Sequence, residues 1–423
     1  MSNCLGHKVI KVKLVINVME KFTINGEDIL SVYKEEGKLQ EYEYCINYIN
    51  FINRKTNQNI KEISNQYCVL YNTLLRWKNG KRVPYGIKCL NFLKENGLLP
   101  YIPNERTARI VGFLHGDGYL THSLLSFGFI SKERDLLLRM EKDVSEEFKV
   151  EGKLKKKRDI GDKEVIKGKE FIVKDPTYEL HFNNKAVCCL LFKLGVPRGK
   201  KIYQETFVPG WVMEGTLNIQ KSFLQGLFDS ELSNAQISTF KGHKDNLSNP
   251  RMEMGKDINL QNNLKLYLNN VKTLLENFGI LSKVSYLRNY DKGKVSLTLS
   301  INNKLSNIYH FVDKIGFYYN KNRMVYAEKT KELSLQKIKD KNLLYKIMIY
   351  ITNKDRFTLL DLEKDLDIAT SSTKLLGKYL QKNKLAERIR QKDRWFGYCP
   401  NIEKITKIIN NPLLLENLPK IKQ

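Results

Sequence analysis

Residues Ile110–Gly118 read IVGFLHGDG, and residues Leu224–Leu232 read LQGLFDSEL. Both stretches are apolar, carry one glycine in mid-helix and reach an acid five residues later, Gly112 to Asp117 and Gly226 to Glu231. A glycine inside a helix costs about 0.5–1 kcal/mol relative to alanine, so two at matching positions need a reason. Close helix packing supplies one. Gly112 with Gly116, and Gly226 with Ser230, put small residues four apart on one face, where two backbones can approach. Helices packed in this way deliver Asp117 and Glu231 together at their C-terminal ends, where the helix dipole disfavours a carboxylate. A bound oxygen-ligand cation such as Mg²⁺ would relieve that.

The 423-residue chain is 42% hydrophobic, enough for several cored domains, and its 72 Lys and Arg against 46 Asp and Glu leave a formal charge of +26. Such a balance points to a polyanion, nucleic acid before an acidic membrane, because no polybasic segment borders a lipid-inserting helix. The seven cysteines, without any CxxC, indicate neither a disulfide framework nor a zinc site, so a reducing cytoplasm is expected. The apolar run Val9–Val18, broken by Lys11 and Lys13, is too short and too charged for a membrane span and reads as a strand, or as an extension upstream of a start at Met19.

Taken in order, residues 1–104 form an N-terminal region with a helix-turn-helix at about 42–97. Its helices are expected at Ile60–Tyr67 and Leu70–Trp77, with Ile63, Tyr67, Leu70, Leu74 and Trp77 inward and Tyr71, Asn72, Thr73, Arg76 and Lys78 outward. Arg76, Lys78, Lys81 and Arg82 are its candidate DNA contacts. After the Pro100–Pro103 linker, residues 105–218 read α-β-β-α-β-β-α, including the basic strand Lys153, Lys155, Lys156, Lys157 and Arg158 as a further candidate contact. Residues 219–330 repeat that order, with strands near Ala235–Phe240, Arg251–Lys256, Lys283–Leu287 and Lys294–Ile301. The repeat reaches beyond secondary structure: FNNK at 182–185 recurs as INNK at 301–304, and Lys200 and Lys321 each stand five residues after a glycine. Residues 331–342 read as a connecting helix or linker, and residues 343–423 as a winged helix whose third helix, Thr370–Gln381, exposes Lys374 and Lys378 to a groove.

The two motifs and their flanks, SKERDLLLRM, FNNKAV, LGVPRGKK, VPGW and SFLQGLFDSE, resemble the single-chain, two-motif LAGLIDADG homing endonucleases over roughly residues 105–330. The resemblance implies an α+β fold: two pseudo-symmetric αββαββα halves, a saddle over duplex DNA, flanked here by the N-terminal helix-turn-helix and C-terminal winged-helix domains. It implies divalent metal, Mg²⁺, on Asp117 and Glu231, and catalytic assistance from Lys200 and Lys321, with Lys201 and Arg323 as close rivals. It further implies a double-strand break with short 3′ overhangs by a protein that is monomeric, a pseudo-dimer within one chain. Other functions within reach of the same resemblance are a non-cleaving transcription regulator and a maturase acting on intron RNA. His115 stands at the first acidic position of motif one, and Leu232 stands where a glycine usually follows the last acid. If that position needs a left-handed backbone angle, leucine would strain the turn.

Overall fold

The computed structural model describes residues 22–418 apart from 55–58, 167–168, 234–248, 292, 342, 367, 369 and 392–393. The expected strands at Val9–Val18 and Ala235–Phe240 lie outside the described residues. Two compact units divide the chain, Met1–Pro103 and Asn104–Gln423. Among the described residues no helix is long and apolar enough to cross a membrane.

The first unit is helical: α1 (Gly26–Glu35), α2 (Leu39–Ile52), α3 (Ile60–Tyr67), α4 (Tyr71–Lys78) and α5 (Tyr85–Glu95). Asn59 caps α3 by accepting the Lys61 N–H at 3.0 Å, and Cys68, in the left-handed region at φ 52°, turns the chain into α4. Ile63, Val69, Leu74 and Trp77 form the core between them, with Tyr44 and Tyr48 of α2 set edge-on against the indole. The inward set differs from expectation at two places. Leu70 precedes α4 and is 79% exposed, whereas Thr73 is buried. The chain leaves the αL turn before the helix begins, so Val69 fills the place that spacing alone assigned to Leu70.

The second unit is α+β, with small antiparallel sheets. It begins α6 (Glu105–His115), β1 (Gly118–Leu120), β2 (Phe127–Ser131), α7 (Arg134–Phe148), β3 (Lys153–Arg158), β4 (Lys163–Ile166), β5 (Lys169–Ile172), β6 (Thr177–Phe182) and α8 (Lys185–Lys193). After the short α9 (Gly210–Met213) come α10 (Leu217–Glu231), β7 (Arg251–Asp257), α11 (Gln261–Asn277), β8 (Ser282–Asp291), β9 (Lys294–Ile301) and α12 (Leu305–Lys314). The first sheet has the order β1-β2-β6-β3 and the second β7-β9-β8, so β7, β9 and β8 take the places of β2, β6 and β3. The β4–β5 hairpin, absent from the sequence reading, continues the β3–β6 ribbon outward through the Gly161–Val173 and Val173–Asp162 backbone hydrogen bonds.

Asn104 caps α6 in a capping box, accepting the Thr107 N–H at 2.9 Å while Thr107 Oγ1 accepts the Asn104 N–H. The last stretch comprises α13 (Lys321–Lys341), α14 (Leu343–Thr352), α15 (Leu359–Leu366), α16 (Thr370–Lys382), β10 (Ala386–Gln391), β11 (Arg394–Pro400) and α17 (Ile402–Asn410). Of the two readings of residues 331–342, connecting helix or linker, the helix is the one seen, up to Lys341. Ala327, Thr330, Ser334 and Ile338 recur at helical spacing on its buried face, and Ile338 joins the core of α14–α17. Thr358 and Asp361 cap α15 reciprocally, at 2.7 and 3.2 Å.

Candidate active site

The site is built where α6 meets α10. A Cβ added to Gly112 would fall 2.1 Å from the Phe223 carbonyl oxygen, and one added to Gly226 would fall 2.0 Å from that of Arg109. Neither helix can carry a side chain at its crossing point without moving the other backbone. Further along, a Cβ at Gly116 would lie 1.9 Å from Ser230 Oγ and 2.8 Å from Glu231 Cγ. The two helix ends therefore abut, and Asp117 and Glu231 leave them from the same place.

A pair of acids at two helix C-termini is electrostatically costly, and two cations are set against it. Lys201 Nζ donates to the carbonyls of Gly116 and Gly118, the latter at 2.6 Å, and so bridges the turn that carries Asp117. Arg323 Nη1 donates to the Phe228 carbonyl at 2.7 Å, within the last turn of α10. Each cation caps one motif helix while facing both carboxylates. Burial raises the Asp117 pKa against the pull of Lys201 and Arg323. Glu231 is pushed up to about 7 by burial and then by Asp117, with Lys201 and Arg323 opposing. Lys201 is brought down to about 8 by burial, Glu231 and Asp117 opposing.

Lys200 and Lys321, to which the resemblance gave the catalytic role, are both exposed, while their rivals Lys201 and Arg323 face the acids. The reason is local. Residues 201–203 form a single 3-10 turn that directs Lys201 inward, whereas α13 begins at Lys321 and brings Arg323 round to the site two residues later. Asn320 caps α13 by accepting the Arg323 N–H at 2.9 Å.

Two polar positions of the motifs behave differently from each other. Asp229 is 2% exposed and accepts the backbone N–H groups of Tyr318, Tyr319 and Asn320 at 3.0, 2.7 and 3.2 Å, holding the approach to α13. Burial raises its pKa to about 6 against those hydrogen bonds. His115, at the matching place in motif one, is 1% exposed, stacks on Tyr267 at 5.8 Å and meets Phe223 edge-on. Burial, then Lys201, brings its pKa down to about 3, so it is a neutral ring. A second buried group ties α6 and α7 to the segment that precedes α13. Arg109 Nη1 donates to Asp143 at 2.9 Å, Tyr319 Oη donates to the same oxygen at 2.6 Å, and the guanidinium lies 3.4 Å over the Tyr318 ring.

Leu232 is not strained. Its φ is −80°, it bridges Met252, and its side chain is fully buried. Its counterpart Gly118 also lacks a left-handed angle, and there the constraint is space, because a Cβ would lie 2.8 Å from Leu114 Cα. Glycine at this position answers crowding in the first motif, and leucine fills the room available in the second.

Among the remaining candidates, Arg76, Lys78, Lys81, Arg82, Lys153, Lys155, Lys156, Lys157, Arg158 and Lys378 are exposed, and the side chain of Lys374 lies outside the described residues. Strand β3 is a sheet edge, where a row of cations also discourages edge-to-edge pairing. Lys155 and Lys157 both reach Glu179, at 3.3 and 3.8 Å, and Glu179 accepts from Tyr119 Oη at 2.7 Å.

Among the described residues no cluster of three His, Cys, Asp or Glu side chains could hold a metal. Two buried carboxylates, of which Asp117 raises the proton affinity of Glu231, nevertheless fit a hard divalent cation. Mg²⁺ commonly takes one or two protein carboxylates and completes its shell with water and substrate phosphate.

No known protein-family profile matches the chain. The tRNA-splicing ligase RtcB of Pyrococcus furiosus is 32% identical over 241 residues, 55% of this chain and 23% of that protein. The DNA-directed RNA polymerase subunit Rpo1N of Methanocaldococcus jannaschii is 27% identical over 273 residues, 61% of this chain and 20% of that protein. The chain thus spans about a quarter or less of the length of the curated relatives it matches. Among solved structures, the homing endonuclease I-DmoI in complex with DNA and Ca aligns with 52% of this chain and 96% of its own at 16% identity and a TM-score of 0.33. Full-length DUF199/WhiA of Thermatoga maritima aligns with 75% of this chain and 95% of its own at 12% identity and a TM-score of 0.31.

Proposed function

We propose that the chain is a site-specific double-stranded DNA endonuclease of the two-motif LAGLIDADG kind. The observation that carries this reading is the abutment of two glycine-packed helix ends, one from each motif, which brings Asp117 and Glu231 into one electrostatic unit beside Lys201 and Arg323. The matching sheet orders support two αββαββα halves about a pseudo-two-fold, a symmetry that suits duplex DNA. The named relatives fit a shared module. Stretches of a splicing ligase and of a polymerase subunit each cover more than half of this chain and so overlap within it, although neither name describes the other's chemistry.

Hydrolysis of a phosphodiester adds water to phosphorus and breaks the bond to the 3′-oxygen, leaving a 5′-phosphate and a 3′-hydroxyl. Asp117 and Glu231 would hold the divalent metal, which when bound supplies Lewis acidity and a lowered water pKa. Both must be ionised to do so, and Lys201 and Arg323 favour that state. The same two cations would face the negative charge that builds on the phosphate, and their hydrogen bonds to Gly116, Gly118 and Phe228 hold them in place. Exposed cations on β3, on the α4 turn and on α16 would track the backbone of the duplex.

The test is selection of bound duplexes from a random pool, followed by incubation of the selected site with the full-length chain and Mg²⁺. Cutting within the site, with 5′-phosphate and 3′-hydroxyl ends that disappear on chelation, is the expected result. Tight selective binding without any metal-dependent cutting would overturn the reading.

A further inference from the structure

Lys256 lies on β7, 3% exposed, and its ammonium group has three N–H donors. All three are used, on the carbonyls of Lys201 (2.9 Å) and Gln204 and on Thr206 Oγ1 (2.6 Å). Among the described residues it makes no ion pair. A buried charge that makes no ion pair is tolerated only where hydrogen bonds replace its water, and here every one of them goes to a single segment, residues 201–206, whose Glu205 adds a longer-range attraction. Asn263 of α11 grips the same segment, accepting the Thr206 N–H at 2.9 Å and donating to the Thr206 carbonyl at 3.2 Å. Both grips come from elements that follow the second motif, whereas the Lys201 side chain crosses to the turn of the first. The arrangement parallels the other side of the site, where buried Asp229 gathers the backbone that leads to Arg323.

We propose that Lys256 is a positioning residue for the active site: it locks the 201–206 segment from the second half so that Lys201 is delivered to the turn bearing Asp117. It does not itself face the phosphate, because its three donors are already spent on the segment. Through this link each half supplies an acid, and the second half also sets the cation that serves the first. The inference rests on the nuclease reading for its kinetic consequence, but not for its structural one.

Two measurements on the full-length chain separate those. Hydrogen exchange of residues 201–207 is compared in the wild type, Lys256→Met and Thr206→Val, the last removing one acceptor without touching the buried cation. Exchange faster by about tenfold in Lys256→Met, with a smaller rise in Thr206→Val, is expected. Unchanged exchange in both variants overturns the proposal, whatever the protein does to DNA. On a cleavable site, Lys256→Met should lower single-turnover cutting by up to about 10²-fold with DNA affinity held within about twofold, because misplacement alone acts on the chemical step. Lys201→Met/Lys256→Met should cut no more slowly than Lys201→Met. Multiplying defects in the double variant would show that Lys256 acts apart from Lys201 and would refute the assignment. If the wild type cuts no DNA, the nuclease reading fails and the exchange measurement still decides the role of Lys256.

Discussion

At the scale of single residues, the site is held in a state that works against the fold. Glu231 has its pKa raised from 4.5 to about 7, so the folded chain keeps a proton that the unfolded chain has released. Stability therefore falls as pH rises through that window, and the whole penalty is present at pH 8. With allowance for partial exposure the cost is about 1–2 kcal/mol. In metal-free buffer Glu231→Gln should melt higher than the wild type at pH 8 and converge with it below the ordinary carboxylate pKa. A variant less stable than the wild type at pH 8 would show that the acid is not destabilised by its surroundings. The neighbouring cations are expected to divide sharply. Lys201→Met and Arg323→Met should each lose about 10²-fold or more in single-turnover cutting, whereas Lys200→Met and Lys321→Met should mainly weaken binding at raised salt.

At the scale of elements, the crossing of α6 and α10 is the most constrained feature of the second unit. Gly226→Ala would drive a methyl into the Arg109 carbonyl, and a loss of about 2–4 kcal/mol is expected by denaturant unfolding. Leu232→Gly should cost about 3 kcal/mol and restore no activity, because the buried leucine fills its site without strain. Much of this was legible in the chain itself. The glycine spacing pointed to the crossing, and the strands expected at Lys153–Arg158 and Lys294–Ile301 have the ends of β3 and β9. What escaped were decisions made by tertiary contacts. Lys201 and Lys200 are equivalent in a pattern and differ only in which way one 3-10 turn points them. Asp229 carries its role through three backbone groups some ninety residues away in sequence. Lys256 did leave a trace, a lysine on the inward alternation of Met252 and Met254, which period-2 reading could have marked.

For the whole molecule, the formal charge of +26 and the spread of exposed cations over both units bear on how the chain would meet DNA. Binding to the selected site should weaken steeply with salt, with a log–log slope of about −6 or steeper. A chain starting at Asn104, the beginning of the second compact unit, should keep metal-dependent cutting while its slope becomes shallower by up to about 4, the contribution of Arg76, Lys78, Lys81 and Arg82. An unchanged slope would mean that the first unit does not touch the duplex.

The central claim is that Asp117 and Glu231 form one metal-dependent active centre from two motifs. It is tested most directly by single-turnover cleavage of the selected duplex in Mg²⁺ by the wild type, Asp117→Asn and Glu231→Gln, with affinity for the same duplex measured in parallel. Each substitution should abolish the double-strand break while binding persists. Full double-strand cutting by both variants would contradict it.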